Sequence, residues 1–160
     1  MKTLTQIALH QTAAKCIAVS ALALALISGC RPSGSIQRAA EKGYNFAGLS
    51  AYTISGGDTE GASLTGFEND TFHNLFVRAA RLVLNERGLR EVNPNDPDAP
   101  QKADMVMRYT LRKTLLITVM DADARRLIWR GESQREFTTE SMNPDSINEL
   151  VRDILSGFPG

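Results

Sequence analysis

The sequence predicts an α+β fold, a two-layer sandwich with two helices packed on one face of a mainly antiparallel sheet. Two segments carry apolar residues at helical spacing, which gives each helix one apolar stripe. Between these segments, residues 103–120 alternate apolar and mixed positions, as strands do. A single sheet with both helices on the same face would bury both stripes and leave its other face wetter.

The predicted elements begin at residue 44. Residues 44–54 are rich in aromatic and β-branched side chains and predict a first strand. Four glycines make 55–66 a flexible loop. Residues 71–87 predict the first helix, and 89–92 a short strand. Three prolines within 93–100 exclude regular structure there.

The alternating segment 103–120 is too long for one strand, so we expect a turn inside it. A three-residue turn at 112–114 pairs Leu111 with Leu115 and keeps apolar residues opposite each other along both strands. A two-residue turn would break that apolar face. A second turn is predicted at 121–125.

The chain then returns as a strand and ends in a helix. Residues 127–137 predict the strand, and alternation places Leu127 and Trp129 together in the core. Residues 147–158 carry the second helical stripe. Asn143-Pro144-Asp145 precedes it and is typical of a helix start.

The N-terminal 29 residues have the composition of an export signal. They contain no Asp or Glu, and they carry Lys2 and Lys15 before an apolar run at 17–27. A basic start, a short apolar run and small residues after it indicate a secretory signal. Eleven residues cover about half of a bilayer core of about 30 Å, so the run is too short for a transmembrane helix.

The run ends on Ile27-Ser28-Gly29-Cys30, which resembles the lipobox of bacterial lipoproteins. The resemblance implies cleavage before Cys30 and a diacylglycerol on its thiol, with enough acyl chains for stable attachment. A plain signal peptide with an accidental cysteine is the alternative. An Asp after the lipidated cysteine would resemble an inner-membrane retention signal. Arg31 stands there instead, so the resemblance implies the outer membrane, facing the periplasm.

The predicted organisation has three parts. They are a signal peptide at 1–29, a lipidated cysteine with a small polar tether at 30–43, and a single α+β domain at 44–160. Cys16 would leave with the signal, so the mature chain would keep no free thiol.

Three stretches of the domain carry a further resemblance. They are Ala103-Asp104 at the start of a strand, Asp121 at the end of the next strand, and Trp129-Arg130-Gly131. In combination they resemble the bacterial lipoproteins of domain-of-unknown-function family 4136, over residues 44–159. Lys113 stands where that family often has a glycine in a longer connection. The resemblance implies a fold and an envelope location but no reaction, and we expect the motif residues to be structural.

Other polar residues have patterns that favour structural roles. His73 is alone in the predicted domain, and one histidine without cysteine cannot build a zinc site. The oxygen-rich segment 93–98 suggests calcium, but Pro97 stands at a ligand position of the EF-hand pattern. Asp121 and Asp123 flank a turn, where Asp favours local backbone bonds over paired-carboxylate catalysis.

Two further patterns exclude nucleotide and nucleic-acid binding. The glycines of 55–66 are not followed by the Gly-Lys-Ser/Thr of a phosphate loop. Arg78, Arg81 and Arg87 lie away from the helix stripe among acidic and amide residues, which is typical of a solvated face. The full chain has a net charge of zero.

The sequence therefore predicts a lipid-anchored envelope protein that is not an enzyme. We expect a binding or assembly module for another envelope protein or a cell-wall component, with no cofactor, no metal and no nucleic acid. A small-ligand or glycan binder that uses the sheet face away from the helices is the alternative. A hydrolase is disfavoured because the sequence offers no credible triad, dyad or metal cluster.

Overall fold

The computed structural model describes residues 35–59, 62, 64–93, 96 and 102–159. The strands are β1 (Ile36–Ala40), β2 (Ala51–Asp58), β3 (Arg90–Glu91), β4 (Met105–Leu111), β5 (Leu115–Asp121) and β6 (Leu127–Ser133). The α-helices are α1 (Gly66–Glu86) and α2 (Pro144–Leu155), and short 3-10 turns cover Phe46–Gly48 and Thr139–Ser141. Neither α-helix of this described part is long and apolar enough to cross a membrane.

The six strands form one sheet in the order β1-β6-β5-β4-β2-β3, which confirms the α+β class. The pairs β1–β6, β6–β5 and β5–β4 are antiparallel, whereas β2 is parallel to both β4 and β3. The parallel part arises because α1 connects β2 to β3 as a crossover helix. The sheet is thus mixed, with antiparallel pairing in the majority.

One face of the sheet, here called the covered face, holds the core under both helices. Tyr109, Ile117 and Gly131 lie opposite one another in a row across β4, β5 and β6. Phe72 of α1 meets Tyr109 with a ring separation of 5.4 Å. Ile154 of α2 packs above Gly131. Both helices therefore lie on the same face, as predicted.

The β4–β5 hairpin has the predicted turn and register. Leu111 lies opposite Leu115, and the pairing continues to Met105 opposite Asp121. Residues 112–114 form the connection, and β4 and β5 bury alternate residues on the covered face. The apolar alternation was sufficient to predict this register, because a shift of one residue would move every apolar side chain of the strand to the opposite face of the sheet.

The predicted pairing of Leu127 with Trp129 in the core is wrong. Val119 lies opposite Trp129 and Met120 opposite Leu127, so Ile128 is an extra residue in β6. Such a bulge re-aims the side chains of its strand. Ile128 and Trp129 are each 1% exposed, whereas Leu127 is 49% exposed.

The prediction of a tether over 30–43 is also wrong for residues 36–40. They form β1, an edge strand that pairs with β6 over its whole length. In β1 only Ile36 is half-buried, and the other four residues are exposed. An edge strand of this kind has no apolar alternation, so the sequence pattern could not reveal it.

The first predicted strand is displaced. β2 covers Ala51–Asp58, so the predicted strand at 44–54 begins seven residues too early. The loop predicted at 55–66 also begins too early, because residues 55–58 belong to the strand. Tyr44 and Phe46 precede the strand and pack edge to face, with ring centroids 4.8 Å apart. Their aromatic character reflects packing between loops rather than strand formation.

The helices begin earlier than their apolar stripes. α1 begins at Gly66 because Thr65 and Glu68 form a capping box, five residues before the predicted start. α2 begins at Pro144, after Asn143 accepts a hydrogen bond from the Ser146 N–H. α2 ends at Leu155, and β6 ends at Ser133 rather than at residue 137.

Candidate functional site

The motif residues lie mainly at one end of the sheet, here called the far end, where β4 begins and β5 ends. One carboxylate oxygen of Asp104 accepts three hydrogen bonds, from the Ser50 N–H at 2.8 Å, the Ser50 hydroxyl at 2.9 Å and the Ala51 N–H at 2.9 Å. Burial favours the neutral acid, but these donors hold the pKa of Asp104 below its usual value. Asp104 therefore fixes the chain where it enters β2.

Asp121 holds the second turn. Its Oδ1 accepts hydrogen bonds from the N–H groups of Ala124 at 2.7 Å and Asp123 at 3.0 Å, and its Oδ2 accepts one from the Tyr44 hydroxyl at 2.9 Å. The Ala124 N–H and the Tyr44 hydroxyl lower the pKa of Asp121. Burial, together with Asp121, raises the pKa of Tyr44 to about 12. This carboxylate is engaged by backbone donors, so the arrangement is a turn rather than an acid–base pair.

Trp129 and Gly131 form one packing unit on the covered face. The Trp129 Nε1–H donates to the Gly157 carbonyl at 3.3 Å, and the indole meets Phe158 edge to face at 5.4 Å. A Cβ at Gly131 would lie 2.5 Å from the indole and 2.7 Å from Ile154. The glycine is therefore required by the close approach of these side chains.

The remaining motif residues, Arg130 and Ala103, do not join this unit. Arg130 is exposed on the opposite face of the sheet, as strand alternation predicts, and Ala103 is half-buried just before β4.

Two arginines that the sequence did not single out for this role bind the C-terminal end of α2. Arg87 donates to the carbonyls of Leu155 at 2.7 Å and Phe158 at 2.5 Å. Arg38 of β1 donates to the carbonyls of Asp153 at 2.5 Å and Ile154 at 3.2 Å. Asp153, Ile154 and Leu155 belong to the last turn of α2, whose carbonyls lack helical N–H partners, and the helix dipole favours cations there. The Leu155 carbonyl also accepts a hydrogen bond from the Phe158 N–H at 2.9 Å, and Phe158 lies beyond the helix.

Arg87 is half-buried, so its predicted place on a solvated face is wrong. Of the other two helix arginines, Arg81 forms an ion pair with Glu91 at 2.6 Å, and Arg78 is exposed.

His73 makes a single polar contact that explains its place. Its Nδ1 lies 3.1 Å from the Tyr109 hydroxyl, at the edge of the aromatic core. Burial raises the pKa of Tyr109. The described residues include no group of three metal-ligating side chains.

The sheet face away from the helices, here called the open face, presents half-buried and exposed side chains. It carries three rows across β4, β5 and β6: Val106, Met120 and Leu127; Arg108, Thr118 and Arg130; Thr110, Leu116 and Glu132. Arg108 and Arg130 are exposed, two strand spacings or about 10 Å apart. An apolar row beside a basic row suits recognition of another molecule.

A cleft of about 50 Å³ lies between residues 135–137 and the start of α2. It has room for one or two water molecules, whereas ligand pockets commonly measure about 300–1,000 Å³. The cleft is therefore not the ligand site that the alternative function would need.

Several predicted residues lie outside the described part of the chain. They are the lipobox residues Ile27, Ser28, Gly29 and Cys30, the sorting residue Arg31, and most of the oxygen-rich segment 93–98.

Several solved structures are similar to this chain, among them two of PelC and one of a PDZ domain protein. A leucine-to-methionine variant of the PelC dodecamer from Paraburkholderia phytofirmans is 14% identical, with 76% of this chain and 94% of that chain covered and a TM-score of 0.48. The PelC dodecamer from the same organism is 9% identical, with the same coverage and a TM-score of 0.50. A PDZ domain protein from Parabacteroides distasonis is 10% identical, with 78% and 36% covered and a TM-score of 0.45.

At these identities the likeness to PelC concerns the fold alone. No family model matches the sequence, and no curated protein matches it significantly.

Proposed function

We propose that this protein is a lipoprotein of the bacterial cell envelope, anchored through Cys30 in the outer membrane and facing the periplasm. The position of β1 carries the proposal. The Gln134 N–H donates to the Ser35 carbonyl at 3.0 Å, and β1 follows immediately. The described part of the domain therefore begins at Ser35, five residues after Cys30. A lipid at Cys30 would hold such a domain directly at the membrane, and the resemblance to family 4136 supports the same location.

The domain is a binding or assembly module rather than an enzyme. The carboxylates of Asp104 and Asp121 are engaged by backbone N–H groups, which supports a structural role for the motif. The open face presents apolar and basic rows that no described helix covers. This surface is the one we assign to the envelope partner.

Assembly with copies of itself is one form of this function. PelC, which shares the fold, is a dodecamer in its solved structures. Native mass spectrometry of the detergent-solubilised protein is expected to show a complex larger than one chain. A monomer at all concentrations would restrict the module to partners of another kind.

The alternative, a binder of small ligands or glycans, is favoured by one observation. Arg108 and Arg130 flank Thr118 on the open face, and neither arginine has an ion-pair partner among the described residues. Two such cations could bind an anionic sugar. The distinguishing experiment is binding of anionic oligosaccharides to the purified protein.

The anchor is tested by labelling cells with a palmitate analogue. The wild type is expected to take up the label, whereas Cys30→Ser should take up none. Cys16→Ser is the matched control and should keep the label, because that cysteine lies in the predicted signal. Equal labelling of the wild type and Cys30→Ser would overturn the anchor.

The binding surface is tested with a photo-crosslinking amino acid at Thr118 of the open face. A second position, Arg78 on the exposed side of α1, is the control. We expect a discrete crosslinked product from the Thr118 position only. The same products from both positions would show that the open face has no special role.

A further inference from the structure

The sheet has a second end, here called the near end, where the 112–114 turn lies. β1 begins at this end, because Ile36 is opposite Ser133, the last residue of β6. The turn is at the same end, because Leu116 is opposite Glu132. The chain that leads from Cys30 therefore enters the fold at the same end of the sheet as the 112–114 turn, two strands away from it.

The reach of that chain is short. Five residues from Cys30 to Ser35 extend at most about 18 Å. The seven-residue strands β4, β5 and β6 are each about 23 Å long. A lipid at Cys30 can thus hold the near end against the bilayer, and a domain standing on this end keeps its far end clear of it.

The helix α1 also begins at the near end and presents an exposed aromatic ring there. Phe72 touches Tyr109, near the end of β4, whereas Asn85 accepts a hydrogen bond from the Tyr52 hydroxyl at the other end of the sheet. Phe67 precedes Phe72 by five residues, or about 7.5 Å along the axis, so it lies further toward the near end than Phe72. Phe67 is 81% exposed, more than Leu82 or Leu127.

Exposed basic side chains lie at the same end of the sheet. Arg112, Lys113 and Arg135 are exposed, and none has an ion-pair partner among the described residues. The Phe137 N–H donates to the Lys113 carbonyl at 2.7 Å, which brings the residues after β6 against the turn. Acidic residues share this end of the sheet, namely Glu136, Asp58 at the end of β2 and Glu68 next to Phe67, so the surface is of mixed sign.

We propose that the near end rests on the lipid surface, with Phe67 in the headgroup layer and Arg112, Lys113 and Arg135 against lipid phosphates. The proposal rests on the lipid anchor at Cys30. Aromatic side chains favour the membrane interface, and guanidinium and ammonium groups bind phosphate. A bilayer of phosphatidylethanolamine and phosphatidylglycerol offers both phosphate and ammonium groups, which suits a surface of mixed sign. The open face then stands upright beside the membrane, accessible to a periplasmic partner.

The orientation is tested on the full, lipidated protein in phosphatidylethanolamine–phosphatidylglycerol vesicles that contain a headgroup-level quencher lipid. Single thiols are introduced by Glu136→Cys or Lys113→Cys at the near end and by Asp123→Cys at the far end, and each is labelled with a fluorophore. Asp123 is a suitable control because its side chain is 79% exposed. We expect strong quenching at both near-end positions and little at the far end.

A second comparison tests the contribution of the aromatic ring. In the Lys113→Cys background, Phe67→Ser is expected to reduce quenching, whereas Leu82→Ser, which removes another exposed side chain of α1, should not. Equal quenching at both ends, or none at the near end, overturns the orientation while palmitate labelling at Cys30 persists. Absence of the palmitate label overturns the anchor itself, so the two failures are distinguishable.

Discussion

The two faces of the sheet are built from the same strands but obey different constraints. On the covered face, β4 buries Met105, Met107 and Tyr109 against the helices. On the open face, the residues between them include Val106 and Arg108, which stay half-buried or exposed. Packing against the helices therefore constrains the residues of the covered face, whereas the residues of the open face are available to bind a partner. Substitutions should separate the two faces, because they change stability on one and binding on the other.

Trp129→Ala should have the largest effect. The indole is 1% exposed, and its removal should lower the free energy of unfolding by about 3–5 kcal/mol. Leu127→Ala, two residues away but 49% exposed, should cost less than about 1 kcal/mol. Urea unfolding of the two variants tests the bulge directly. If Leu127→Ala cost as much as Trp129→Ala, the bulge would be misplaced.

The arginines at the end of α2 should have the next largest effect. Arg87→Ala removes the charged donor to the Leu155 and Phe158 carbonyls and should cost about 1.5–3 kcal/mol. Arg78→Ala, on the exposed side of the same helix, should change stability by no more than about 0.5 kcal/mol. Thermal unfolding measures the difference. Equal midpoints for the two variants would contradict the role of Arg87.

Asp104→Asn should have a smaller and pH-dependent effect. The amide oxygen of the asparagine can still accept hydrogen bonds from Ser50 and Ala51, but the negative charge is lost. The free energy of unfolding should therefore fall by about 1–2 kcal/mol at neutral pH. The pKa of Asp104 is lowered in the folded state, so its stabilisation is present above the unfolded pKa of about 3.9. It is lost as the pH falls through the lower folded pKa.

The wild type should therefore lose more stability between pH 7 and pH 3 than Asp104→Asn does. Urea midpoints at the two pH values provide the measurement. Ser50→Ala removes one of the three donors and should give an intermediate loss. If the urea midpoint fell equally between pH 7 and pH 3 in the wild type and in Asp104→Asn, the Asp104 carboxylate would not determine the stability at low pH.

The fold was predictable where the periodicity of apolar residues along the sequence matched the side chains that are buried in the core. The β4–β5 register followed from alternation, since only one turn length keeps apolar residues opposite each other. β1 escaped prediction because its residues are mostly exposed, and its strand conformation depends on pairing with β6. The bulge at Ile128 could not be predicted, because Leu127 and Ile128 are both apolar. The sequence alone does not show which of the two side chains points into the core.

The candidate site divides in the same way. The turn at Asp121 was predictable because its backbone donors lie two and three residues further along the chain. The donors to Asp104 are 53 and 54 residues away, and the contacts of Arg38 with α2 span more than 100 residues. No local pattern could identify them, although the family resemblance included Asp104.

The open face should give the smallest effect on stability and a large effect on binding. Arg108→Gln with Arg130→Gln removes two exposed cations, so the free energy of unfolding should change by less than about 0.5 kcal/mol. The crosslinked product from the Thr118 position should be lost, because the basic row would no longer attract the partner. Arg78→Gln is the matched control and should keep the product. Full crosslinking of the double variant would contradict a role for the basic row. The partner would then be recognised by the apolar row of Val106, Met120 and Leu127, and Met120→Ser should abolish the crosslinked product.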